Sequence, residues 1–157
     1  MTWRGSAGTL DRIFAALVYS IPLYYGYTTF GGSISKFIPK ILLTLIEIFL
    51  IPLNIIYSSF PLADFILFFV LFLAVVRNDR IAHFIRFNTM QALLLYMALV
   101  LLGMGFRILG LGIIASVLNP IIFTIALAVC LYSIIQSVQG SYPDIPGISQ
   151  AVYSQVP

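Results

Sequence analysis

The chain has 157 residues, 61% of them hydrophobic and 8% charged, with 8 Lys and Arg against 5 Asp and Glu. An ordinary soluble domain carries about 25% charged side chains, so these proportions exclude one. A mean hydropathy of +1.08 makes lipid the solvent for most of the chain, and the length allows about four to five crossings of roughly 20 residues each, with no sizeable domain outside the bilayer. One cysteine, Cys130, and one histidine, His83, exclude a disulfide framework and a Cys/His metal cluster. No cofactor is expected. The net charge of +3, scattered over short connecting segments, suits anionic headgroups better than nucleic acid, which is not expected as a partner.

Residues 1–12 are short and polar, with Arg4 and Arg12, and lead into an uncharged run, residues 13–30, read as a retained first span. Pro22 and the tyrosines Tyr19, Tyr24, Tyr25 and Tyr27 predict a span that kinks and then reaches the membrane interface. Residues 41–56 are nearly all apolar, but Lys36, Lys40 and Glu47 lie in or beside them and Pro39 and Pro52 interrupt them. A re-entrant or interfacial segment and a crossing are both open there. Three clearer spans follow at 57–76, 89–106 and 119–137. A glycine-rich bend with Gly103, Gly105, Gly110 and Gly112 around Arg107 separates the last two, and residues 139–157 form a polar, proline-punctuated tail.

The distribution of positive charge arbitrates the doubtful segment. If residues 41–56 do not cross, Arg4, Arg12, Arg77, Arg80 and Arg86 share one face and Lys36, Lys40 and Arg107 the other; if they do cross, the majority inverts. The expected architecture is therefore one all-α integral membrane domain over 1–157: four transmembrane helices, an interfacial or re-entrant segment and a short amphipathic helix, with both termini on the cytoplasmic-type face.

That amphipathic helix is expected over 78–88. Ile81, Phe84 and Ile85 form an apolar stripe at helical spacing, and Asp79, His83 and Arg86 a polar line. Its aromatics would sink into the acyl boundary while Arg80 and Arg86 reach phosphates. It reads either as a topology anchor or as a docking surface for a partner or a moving chain. Asn88, Gln91, Glu47 and Asp64 lie within or at the ends of apolar runs, where a charge costs about 2.5–3.5 kcal/mol at the helix centre. Interhelical hydrogen bonding is the favoured role for Asn88 and Gln91, and a helix N-terminal position for Asp64 after Pro61. The Gly103–Gly112 cluster is read as a bend and not a nucleotide loop, Cys130 as a small residue at a helix contact, and no enzyme constellation is visible.

Residues 76–95, Val-Arg-Asn-Asp-Arg-Ile-Ala-His-Phe-Ile-Arg-Phe-Asn-Thr-Met-Gln-Ala-Leu-Leu-Leu, resemble the twenty-kilodalton Tic family of the chloroplast inner-envelope protein-import translocon and its cyanobacterial relatives. The opening Met1-Thr2-Trp3-Arg4-Gly5-Ser6, the Asp11-Arg12-Ile13 start of the first span and the tail from Gly140 to Val152 also resemble cyanobacterial members, so the likeness covers nearly the whole chain. The resemblance implies a four-helix membrane protein with both termini cytoplasmic or stromal. It implies a channel-forming or channel-associated part of a protein translocation machinery, in a cyanobacterial membrane, the plasma membrane foremost, or the plastid inner envelope. The implied partners are the lipid bilayer, other translocon subunits or further copies of the chain, and unfolded precursor protein in transit. Arg77, Asn78, Arg80, Phe84, Arg86, Phe87, Asn88 and Gln91 match the family signature, and His83 lies among them on the same candidate partner surface. Where many relatives carry an acid after the Gln-Ala-x-Leu-Leu run, this chain has Tyr96. Only about a dozen residues precede the first span, so no transit peptide is expected. A small structural or assembly membrane protein without conduction is the alternative.

Overall fold

The computed structural model describes residues 7–32, 34, 38–110 and 112–156; Arg4, Lys36 and the opening hexapeptide lie outside the described residues. Among these the chain is helical with no strand: α1 (Thr9–Leu17), α2 (Ser20–Phe30), α3 (Lys40–Ser59), α4 (Ala63–Leu71, continued by a π-helical turn, Phe72–Val76), α5 (His83–Ile108), α6 (Gly112–Val138) and α7 (Ile148–Gln155).

The first expected span is two helices. Pro22 has no N–H to give to the Val18 carbonyl, which takes the Ile21 N–H at 3.2 Å instead, and the Tyr19 N–H turns back to Ala16 at 3.3 Å. A tight turn therefore separates α1 from α2. Asp11 starts α1 by accepting the Gly8 N–H at 3.0 Å. This α1–α2 arm packs against α5 and α6 at the centre of the bundle.

The expected span 57–76 is broken as well. Pro61 pushes Phe60 into extended backbone (φ −158°, ψ 152°), and Leu62 follows in the left-handed region at φ 63°. Helix α3 thus ends at Ser59 and α4 starts afresh at Ala63: the doubtful apolar segment 41–56 lies within the helix 40–59, and the expected span 57–76 is reduced to 63–76.

Side-chain packing gives the depth of each segment. Tyr19 reaches Asn88, near the start of α5, and Phe30 packs with Leu99 and Phe123. We call the end of the bundle holding the start of α5 the near end and the other the far end. Ile38, just before α3, packs with Phe30 and Phe106 at the far end; Ile46 and Leu50 lie with Leu23, Leu95 and Cys130 at mid-height. Asp64, at the start of α4, still meets Tyr96 midway along α5, and only Val76 reaches Phe87 at the near end. Ile38 thus packs at the far end, Val76 at the near end, and the start of α4 between them.

Helix α5 begins at His83, so residues 78–88 are not a separate amphipathic helix. The Asn78 Oδ1 accepts the Arg80 N–H at 3.0 Å, a local turn that competes with helix over 78–82. The expected glycine-rich bend is shorter than 103–112: α5 runs through Gly103 and Gly105, and the turn falls at Leu109 and Gly110, the latter at φ +64°. Gly103 serves packing, since a Cβ there would lie 2.9 Å from the Tyr25 hydroxyl. The tail is not purely irregular: after Pro146 and Gly147 it forms α7, whose Val152 is buried with Val76, Phe87 and Met90. Near-end contacts also place Arg12 beside Gly140, so both described ends of the chain lie at that end.

Helices α3, α5 and α6 are long and apolar enough to cross a membrane, with mean hydropathies of 2.1, 1.8 and 2.4. The outer surface is correspondingly apolar. Ile113 is 88% exposed and Ile41 78%, and a surface of this kind faces a membrane or a partner.

Candidate functional site

The polar side chains gather in two places. The first is a buried knot at the near end. Asn88 and Gln91, both fully buried, meet the Tyr19 hydroxyl, whose single proton faces Gln91 Oε1 at 2.8 Å and Asn88 Oδ1 at 3.0 Å. The Ser137 hydroxyl donates to Asn88 Oδ1 at 2.9 Å, and Asn88 Nδ2 donates to the Phe84 carbonyl at 2.8 Å. Gln91 Nε2 donates to Ser149 Oγ at 2.8 Å and to the Pro143 carbonyl at 3.2 Å. Five segments, α1–α2, α5, α6, the 141–147 strap and α7, are thus joined through two amides. In a medium without water, each buried polar atom must find its partner inside the protein.

The signature segment works inward around this knot. Arg86 is buried; its Nε donates to the Val76 carbonyl at 3.0 Å and its guanidinium pairs with Asp79 at 3.0 Å. A cation thereby closes the C-terminal end of the α4 π-turn, where free carbonyls concentrate negative charge. His83 Nδ1 lies 3.1 Å from the Tyr142 hydroxyl and Nε2 lies 3.4 Å from the Val156 carbonyl. One tautomer satisfies both, with Nε2–H donating to the carbonyl and Nδ1 accepting from Tyr142. Phe84 and Phe87 both pack edge-on to Tyr142 at 5.0 Å.

Phe84, Arg86, Phe87, Asn88 and Gln91 are therefore internal. They do not sink into the acyl boundary or reach out to phosphates: the tail covers Phe84, Phe87 and Gln91, Asn88 is held by Tyr19 and Ser137, and Arg86 turns in to the Val76 carbonyl. The outward part of the signature is the turn bearing Arg77, Asp79 and Arg80, with Asn78 half-buried beside it.

The second polar group lines the outer side of α2. Tyr24 donates to Asn54 at 3.0 Å, Tyr27 to Glu47 at 2.8 Å and Tyr96 to Asp64 at 3.4 Å. Two cavities of ≈ 310 and ≈ 290 Å³ flank this face, the first reaching Glu47 and Asn54, the second Asp64, Tyr57 and Tyr96, and both are lined by Tyr24 and Thr28. Glu47 and Asp64 thus stand on either side of one hydroxyl-bearing stripe, each capped by a tyrosine. They do not converge with Asn88 and Gln91, which the structure places in the knot.

The sequence reading missed Tyr19, Ser137 and Ser149 as members of the knot, and Tyr24, Tyr27, Thr28 and Asn54 as members of the groove. A local signal existed for the groove: Tyr24, Tyr27 and Thr28 follow one another at spacings of three and one, which puts three hydroxyls on one helical face. For the knot there was none. Among the described residues no cluster of His, Cys, Asp and Glu is arranged to hold a metal.

Residues 9–152 match the family described as "Chloroplast import apparatus Tic20-like". A Tic20 family protein of Synechocystis sp. is 44% identical over 99% of both chains. The Tic20 family protein Ycf60 of Gracilaria tenuistipitata var. liui is 37% identical over 94% of this chain and 76% of its own. Protein TIC 20-II, chloroplastic, of Arabidopsis thaliana is 29% identical over 93% of this chain and 72% of its own. With nearly its whole length matched, the chain belongs to the Tic20-like family.

Proposed function

We propose that the chain is a non-enzymatic subunit of a protein translocation machinery, forming or adjoining the path by which polypeptide moves across or into a membrane. Four passes carry it: α1–α2, α3–α4 taken together, α5 and α6. The near end, with both described chain ends and the Arg77–Arg80 turn, faces the cytoplasm or stroma, in line with the excess of positive charge there. Other translocon subunits or further copies of the chain meet the outward turn, and a precursor in transit meets the groove. Family membership supports the machinery.

The observation that carries the site is the groove along Tyr24 and Thr28, with Glu47 and Asp64 on its two sides. A carboxylate facing hydrocarbon is costly, so polar groups at this depth mark a path or a partner contact. Photo-cross-linkers at Thr28 and Asn54, against a control at the lipid-facing Ile125, test the assignment with a precursor arrested in transit. Adducts to the precursor from the groove and none from Ile125 are expected.

A structural or assembly role without conduction has its own support. Asn88 and Gln91 are sealed in the knot and line no cavity among those described, so that part of the signature holds the bundle together. Adducts from the groove to stable membrane neighbours alone select this reading.

A further inference from the structure

At the far end, between α2, α5 and α6, lies a cavity of ≈ 400 Å³ bordered by Thr29, Phe30, Phe106, Arg107, Gly112 and Asn119. Three features of it are not accounted for by contacts among the described residues. Arg107, exposed on the last turn of α5, has no hydrogen-bond or ion-pair partner among the described residues, and none of the chain's five acids lines the cavity. Asn119 Oδ1 is buried without a donor, an unmatched acceptor that a ligand hydroxyl would satisfy. Gly112 stands in the first turn of α6 with nothing within 4 Å of an added Cβ, so packing does not call for glycine there, although glycine weakens a helix relative to alanine. Gly112 lines the cavity, so a side chain there would stand at its wall.

We propose that this cavity binds the anionic, hydroxyl-bearing head of a phosphate ester, with Arg107 on the phosphate and Asn119 accepting from the hydroxyl. The first turn of α6 lines the same space through Gly112 and Ala115, and the positive end of that helix adds to its field. Phe30 and Phe106 give the cavity an apolar side, which suits an amphipathic molecule, and its position where two spans turn at the water boundary suits a lipid headgroup. The site adjoins the groove at Thr29, which lines both, and does not depend on the proposed role in translocation.

Native mass spectrometry of the full chain in detergent tests the site, with dioleoylphosphatidylglycerol and dioleoylphosphatidylcholine as probes. Wild type is expected to retain phosphatidylglycerol about fivefold more than phosphatidylcholine, the effect of one well-placed cation. Arg107→Gln and the cavity-filling Gly112→Leu each remove that preference, while Arg12→Gln, a near-end cation, leaves it intact. Unchanged elution volume and helical circular dichroism show that the variants fold, and Gly112→Leu keeps every charge. Excess glycerol 3-phosphate separates the two sources of the head: failure to displace the lipid assigns the site to lipid, and displacement assigns it to a soluble phosphate ester. Equal retention of the two lipids, or a loss with Arg12→Gln as large as with Arg107→Gln, overturns the proposal.

Discussion

Gln91→Leu separates the knot's role in holding the tail from its role in holding the bundle. The substitution keeps nearly the same volume and removes three hydrogen bonds: the one accepted from Tyr19 at 2.8 Å and those given to Ser149 at 2.8 Å and Pro143 at 3.2 Å. An interhelical bond in a membrane protein contributes about 0.6 kcal/mol on average, which sets an upper figure near 2 kcal/mol. Some of this is recovered locally. The Tyr19 proton still has Asn88 Oδ1 at 3.0 Å, and the Ser149 hydroxyl still reaches the Pro143 carbonyl at 3.3 Å. Two of the three bonds tie Gln91 to the tail, so tail docking loses about 1 kcal/mol. At about 1.4 kcal/mol per factor of ten, opening of residues 142–156 should rise roughly fivefold. Hydrogen exchange of the tail amides in detergent reads this directly. Tail exchange within twofold of wild type would refute the reasoning, whatever happens to global stability.

Three further outcomes are expected. Gly103→Leu drives a side chain into the Tyr25 hydroxyl at 2.9 Å and Thr29 Cγ2 at 3.4 Å and should destabilise by about 1–3 kcal/mol in detergent unfolding; a neutral result would mean that α2 and α5 are not in close contact. Arg86→Met strands the Val76 carbonyl and should lose about 1–3 kcal/mol, whereas Asp79→Asn, on the 88% exposed partner of the ion pair, should change the same unfolding midpoint little. Equal effects would contradict the assignment of Arg86 to the carbonyl. Leu62→Gly relieves a left-handed leucine whose side chain is 71% exposed and should leave stability unchanged or raise it by up to about 1 kcal/mol; a loss beyond 1 kcal/mol would show that Leu62 makes contacts the fold does not display.

Much of the fold was legible because apolar runs in lipid are strong signals. The expected spans 89–106 and 119–137 lie wholly inside α5 and α6. The kink at Pro22 could be read because proline acts on its own helix. The break at Pro61 was equally local, but the dense apolar run that follows it concealed it, and the expected span was drawn across it from residue 57. The helical pattern over 78–88 misled for a related reason: periodicity reports which residues share a face, whereas the Asn78 side chain decides the backbone at 78–82. What no local reading could supply is the docked tail. Gln91 and Ser149 are 58 residues apart, and His83 lies 59 and 73 residues from Tyr142 and Val156; a polar, proline-bearing tail looks the same whether it docks or not. The inward direction of Phe84 and Phe87 follows from that docking and was hidden with it, while Arg86 turns inward to the Val76 carbonyl.

The central claim is that α3 and α4 together make a single pass, which leaves both described chain ends on one face. Single cysteines at positions 40, 80, 109 and 150, placed one at a time in a Cys130→Ala background and labelled in oriented vesicles with an impermeant maleimide, test it most directly. The account predicts that 80 and 150 label from one side and 40 and 109 from the other; labelling of 40 and 80 from the same side would contradict it.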